Sequence, residues 1–175
     1  MSEPANSTWS AQEAPGLPWP LTATATGDLP DINIWLALAV QEHPHHPFAR
    51  AYWDSVVAEH RANPAARIWF CRTTMLGLVR LLCQPKAVGA GALALPDAWQ
   101  LYQSYRAMPQ IGLLPDPLTC DLEIGRLLSS TQPSARLWTD TYLAALAQSS
   151  NLRLVTFDRD FDRFGLSRCL ILPRA

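Results

Sequence analysis

From Asp28 onward, short runs of β-forming residues alternate with helix-length segments, and this alternation leaves few folds open. "RIWFC", "IGLLP", "LRLVTF" and "CLILP" have the length and composition of buried strands. Between them, "PFARAYWDSVVAEH" sets Phe48, Tyr52 and Val56 on one helical face, with Trp53 and Val57 nearby and Pro47 in the first turn. "TTMLGLVRLLC" is apolar nearly all round, which predicts a buried helix. "LPDAWQLYQSYRAM", "PLTCDLEIGRLLSS" and "ARLWTDTYLAALAQSS" complete the helical set, the last with Ser134 placed to cap it and Asn151 to break it. "DINIWLALAV" reads as a short strand running into a helix, and "DRDFDRF" as a turn or short helix stopped by Gly165. Strands separated by helices predict an α/β/α sandwich, three layers around a mainly parallel sheet.

Residues 1–27 differ in kind. They are rich in Pro, Ala, Ser and Thr without a sustained period, and read as a flexible extension ahead of one domain spanning 28–175. They lack the basic start and apolar segment of a signal peptide, and no run in the chain is long enough to span a bilayer. The four cysteines form no CxxC pair, so neither a disulfide framework nor a zinc site is indicated, and a cytoplasmic protein is expected. A net charge of −1 supplies no global field for nucleic acid. All of the basic residues except Lys86 are Arg, which suits bidentate phosphate contacts but also fits a GC-rich coding sequence.

Sites in parallel sheets form beyond the C-terminal strand ends, where strand order reverses. Two strands run into acids there: the first reaches Asp31, and "LRLVTF" reaches Asp158. Asp140 lies in a helix on a face shared with Leu137, Leu143 and Ala144, where a carboxylate is costly without compensation. One at a time these acids read as helix caps or a solvated edge. Together they read as oxygen ligands for a hard divalent cation, Mg²⁺ or Mn²⁺.

In this order and spacing the residues resemble the PIN-domain ribonucleases, and within them the VapC-type toxins of toxin–antitoxin pairs. The resemblance covers about Asp28 to Leu172. "DINIWLAL" resembles the opening motif, an Asp with a polar residue two positions on, here Asp31 and Asn33. "WTDTYLAALA" resembles the helix-borne acid, Asp140, and "LVTFDRDF" the closing motif, Thr156 and Asp158. The resemblance implies metal-dependent hydrolysis of RNA, a small antitoxin whose C-terminal segment fills the site groove, and a homodimer.

One departure concerns the helix after the second strand, where the family usually carries a Glu and this chain has Gly77. Glycine in a helix interior costs about 1 kcal/mol relative to Ala, which argues for a packing reason or the close approach of another group. Thr73 and Arg80 are expected on the same face, Arg80 as a phosphate contact or an ion-pair partner. Pro30 is unexpected in a central strand and implies that the first strand is short or begins near Asp31. "EHPHHP" reads as a structured loop at the site mouth rather than a zinc cluster, and Glu42 replaces the missing acid only if that loop folds back. Asp160 is placed to hold a metal-bound water or to cap the short helix, whereas Asp162 sits on a solvated face. Trp53, Trp69, Trp99 and Trp138 are expected in the core; Trp35, just after Asp31, is the candidate for stacking on RNA bases.

Two rivals belong to other classes: a catalytically weak PIN fold that only binds RNA or protein, and an unrelated phosphohydrolase on a doubly wound sheet. The absence of a second Asp two residues after Asp31 disfavours a haloacid-dehalogenase-like mechanism for the latter.

Overall fold

Five parallel strands form one sheet in the order β3-β2-β1-β4-β5. The computed structural model describes residues 27–174, so the predicted extension lies outside the described residues, except that Gly27 opens the first strand. The strands are β1 Gly27–Pro30, β2 Arg67–Phe70, β3 Ile111–Leu113, β4 Arg153–Thr156 and β5 Cys169–Ile171. The connections carry α1 Ile32–Ala39, α2 His46–Ala62, α3 Arg72–Leu82, the short α4 Pro85–Val88, α5 Leu95–Arg106, α6 Cys120–Thr131 and α7 Trp138–Ser149. The chain builds β1, β2 and β3 outward in one direction, then crosses back to lay β4 and β5 on the other side of β1. The switch point therefore lies between β1 and β4.

Two cores cover the two faces, which gives the predicted three layers. Ile68, Phe70, Ile111 and Val155 pack with Ile34, Trp35, Tyr52 and Leu78 under α1, α2, α3 and α5. Leu29 and Leu154 point the other way, into Leu127, Leu143 and Leu146 of α6 and α7. Leu154 and Val155 thus show the strand period of two.

Several local expectations change. The first strand lies wholly before Asp31, and Pro30 is its last residue. Asp31 N donates to Val155 O at 2.8 Å. Alternation then turns Pro30 toward β2, where pairing has already ended at Asp28↔Ile68, so the absent N–H is not needed. The α3 helix is not buried all round: Leu76 is 64% exposed. Ser134 makes no side-chain capping bond; a 3₁₀ turn, Ala135–Leu137, intervenes before α7. Trp99 and Trp138 are exposed rather than core residues. Trp35 is fully buried and stacked on Phe70 at 3.7 Å between ring centroids, so it is unavailable to RNA bases.

Asn151 ends α7 in the left-handed region, and Gly165 ends the 3₁₀ turn Arg159–Phe164 at φ 57°, both as expected. No helix among the described residues is long and apolar enough to cross a membrane.

Candidate active site

The C-terminal ends of β1 and β4 deliver Asp31 and Asp158 side by side, since these strands are hydrogen-bonded neighbours. Each acid also caps the helical turn that begins beside it. Asp31 Oδ1 accepts from Ile32 N at 2.6 Å, and Asp158 Oδ1 accepts from Asp160 N at 2.9 Å. Capping and site formation are therefore compatible here, because each carboxylate has a second oxygen.

Thr156 organises the centre. Its buried hydroxyl donates to Asp31 Oδ2 at 2.9 Å and accepts from Asn33 Nδ2 at 3.0 Å and Asp158 N at 2.9 Å. Asn33 Nδ2 also donates to Asp31 Oδ2 at 2.6 Å, and Asn33 Oδ1 accepts from Phe157 N at 3.3 Å. The polar residue two positions after the first acid and the Thr two before the last thus belong to one network across the switch point.

Asp140 enters from the first turn of α7, half-buried, and none of the described residues donates a hydrogen bond to it. The acids sense one another. Burial pushes the Asp31 carboxyl up to about 6; hydrogen bonds from Thr156 and Ile32 N oppose this, while the charges of Asp140 and Asp158 add to it. Asp140 is also raised, by burial and then by Asp158 and Asp160, with Arg136 and Arg163 working against the shift. Among the described residues no three His, Cys, Asp or Glu side chains are gathered tightly enough to enclose a metal ion. The donor set is nonetheless all oxygen, and a buried carboxylate under this anionic pressure suits a hard divalent cation.

Three arginines surround the acids. Arg174 Nε donates to Phe157 O at 2.7 Å, and its guanidinium lies 3.5 Å from Asp158. Arg136 and Arg163 flank Asp160 at 3.5 and 3.2 Å. Sequence reasoning passed over Arg136, although it stands four positions before Asp140. Arg174 carries no local signal, because the tail returns over the end of β4 only in three dimensions.

Other candidates separate. Thr73 contacts the Tyr142 hydroxyl, which donates to Asp116 at 2.8 Å. Arg80 lines a groove of about 570 Å³ between α3 and α5 with Leu76, Leu95 and Trp99. Asp162 is exposed, and so is Glu42 on its loop. The His loop does reach the site mouth: His45 packs on Phe157 at 4.7 Å, and His43 Nδ1 accepts from His45 N at 3.1 Å. Gly77 has its packing reason, since a Cβ there would collide with Ile32 Cδ1.

The sequence matches the PIN domain over residues 29–166. The chain belongs to the PIN-domain family. It is similar to Ribonuclease VapC41 of Mycobacterium tuberculosis, at 36% identity over 141 residues, covering 77% of this chain and 91% of the relative. Ribonuclease VapC38 of the same species is 30% identical over 73% of this chain and 82% of the relative. These relatives mark it as a VapC-type PIN domain. Among solved structures, VapBC-1 from nontypeable Haemophilus influenzae superposes with a TM-score of 0.59 at 16% identity, over 82% of this chain and 96% of that one. VapBC2 from Rickettsia felis, bound to a promoter DNA fragment, superposes at 0.57 and 16% identity, over 83% of this chain and 98% of that one. At such identities these structures confirm the fold.

Proposed function

We propose that this PIN domain is the toxin of a toxin–antitoxin pair, an endoribonuclease that hydrolyses RNA phosphodiester bonds with Mg²⁺ or Mn²⁺. The observation that carries this reading is the Asp31 carboxylate, buried at the switch point, fixed by Thr156 and Asn33, and raised to about 6 beside Asp140 and Asp158. The curated relatives are named ribonucleases, and the solved neighbours are VapBC assemblies.

In this reading Asp31, Asp140 and Asp158 would hold the cation. Thr156 and Asn33 hold Asp31 Oδ2, Ile32 N holds Oδ1, and Asp160 N holds Asp158 Oδ1. The chemistry such a cation would supply there is the activation of water and the offsetting of charge on the phosphate oxygens. No Ser, Cys or His is needed as nucleophile.

The partners are RNA, a small antitoxin and a second copy of the chain. The α3–α5 groove, with Leu76 and Leu95 strongly exposed, suits the second copy, since apolar patches of this kind mark protein contacts. Four free cysteines and an RNA substrate fit the cytoplasm.

The test is cleavage of tRNA and rRNA by the purified chain with Mg²⁺ or Mn²⁺, with EDTA and Asp31→Ala as controls. Cleavage lost in both controls supports the nuclease. Intact RNA in every lane, with RNA binding retained, favours the binding-only module, the reading to which Gly77 lends weight.

A further inference from the structure

The arginines around the acids come from three separate places: Arg136 from the 3₁₀ turn before α7, Arg163 from the turn after β4, and Arg174 from the C-terminal tail. Their side chains are 72%, 39% and 52% exposed, yet each is tethered to the site by a carboxylate. A guanidinium carries five N–H donors in a rigid fork. Arg136 engages Asp160 through one nitrogen, and Arg174 uses Nε on Phe157 O and one terminal nitrogen on Asp158. Both side chains are largely exposed beside the acids and keep guanidinium donors free of these contacts.

The charge balance gives these donors a role. The chain is net negative, so any affinity for a polyanion must be local. Four carboxylates, Asp31, Asp140, Asp158 and Asp160, stand against three guanidiniums, so a divalent cation turns this patch from net negative to net positive. We propose that Arg136 and Arg174 bind the RNA backbone, taking phosphates beside the acids, while Arg163 holds Asp160 in place. This rests on the ribonuclease reading and adds which residues hold the substrate. A purely structural role, damping repulsion among the acids, is the competing explanation.

The two roles differ in how they respond to salt. Each phosphate contact to single-stranded RNA contributes about 0.7 to the slope of log affinity against log salt. Full-length wild type, Arg136→Ala, Arg174→Ala and the double variant are titrated by anisotropy into a fluorescein-labelled single-stranded RNA, with Ca²⁺ in place of Mg²⁺, from about 50 to 200 mM salt. Each single variant is expected to bind about fivefold more weakly and to lose about 0.7 of slope, with Arg→Lys restoring most of the slope but less of the affinity. In cleavage assays KM rises by more than kcat falls. Unchanged slopes with a shifted metal-titration midpoint would assign the arginines to the acids alone and overturn the proposal. Wild type that binds RNA with the expected slopes but never cleaves it would sink the nuclease and leave the rim. Wild type that binds no RNA removes both.

Discussion

Ile32 Cδ1 fills the space beside Gly77 that a Cβ would need. The first residue of α1 therefore occupies the place from which a fourth acid on α3 would have projected. The Ile32 contact and the glycine pack together, and Gly77→Glu would need the Ile32 Cδ1 tip to move aside.

A double-mutant cycle measures this coupling. Gly77→Ala gains about 1 kcal/mol of helix propensity, offset by the shift of Ile32 Cδ1, the movable tip of its side chain, so a net change near zero is expected in urea unfolding. In an Ile32→Val background, which removes Cδ1, the same change should become stabilising. Additive effects would mean that the contact is not what selects glycine.

Asp31→Asn should stabilise the fold while abolishing cleavage. The folded carboxyl is raised from 3.8 to about 6, so the native state binds its proton more tightly than the unfolded chain. Stability from this group is fully present below 3.8 and is lost as pH rises through about 6, at most about 3 kcal/mol by pH 7. Asn avoids that charge, but only one of its terminal atoms can accept hydrogen bonds, so a net gain of about 1–2 kcal/mol is expected at pH 7 and little at pH 4. Urea titrations at the two pH values check it. Added Mg²⁺ should raise the wild-type midpoint and leave that of Asp31→Asn unmoved.

Thr156→Val keeps the side-chain shape and removes a hydroxyl that makes three hydrogen bonds. Loss of such a supporting bond typically costs about 10–100-fold in activity or metal affinity. The acid limb of the pH–rate profile should move to higher pH, because the Thr156 bond holds the Asp31 carboxyl down. Thr156→Ser should retain most of the activity; if Val does as well as Ser, the network is not what orients Asp31.

Leu76→Glu should convert the protein to a monomer in sedimentation velocity while the circular-dichroism spectrum of the folded chain is kept, since the side chain is 64% exposed. A wild type that is already monomeric would remove the second copy from the groove and leave it to another protein.

The layering and the parallel sheet were legible because they derive from strand period and strand ends; the bond from Thr156 to Asp31 was not, because it crosses from β4 to the end of β1. Asn33 was named through its resemblance to the family's opening motif, and its bond to Thr156 links positions 123 residues apart through the β1–β4 pairing. Exposure was harder to read. Trp99 and Trp138 lie on amphipathic helices whose outer faces carry large apolar side chains, and composition does not say which face looks inward. Trp35 was misplaced for the converse reason: one helical turn past Asp31, α1 has already dived beneath the sheet. The arginine rim was invisible as a group, because 38 residues separate Arg136 from Arg174 and only the fold unites them.

At the opposite end of the site strands, Asp28 and its register partner Arg153 form a two-pronged ion pair at 2.8 and 2.7 Å, and Tyr52 donates to the same carboxylate at 2.9 Å. The two strands that present Asp31 and Asp158 are thus pinned a few residues upstream by a bond between side chains as well as by their ladder. A one-residue slide of β1 along β4 would break that clasp, so it acts as a stop against misalignment. The alignment of the two acids is therefore set in part by a pair of charges that takes no part in the site itself.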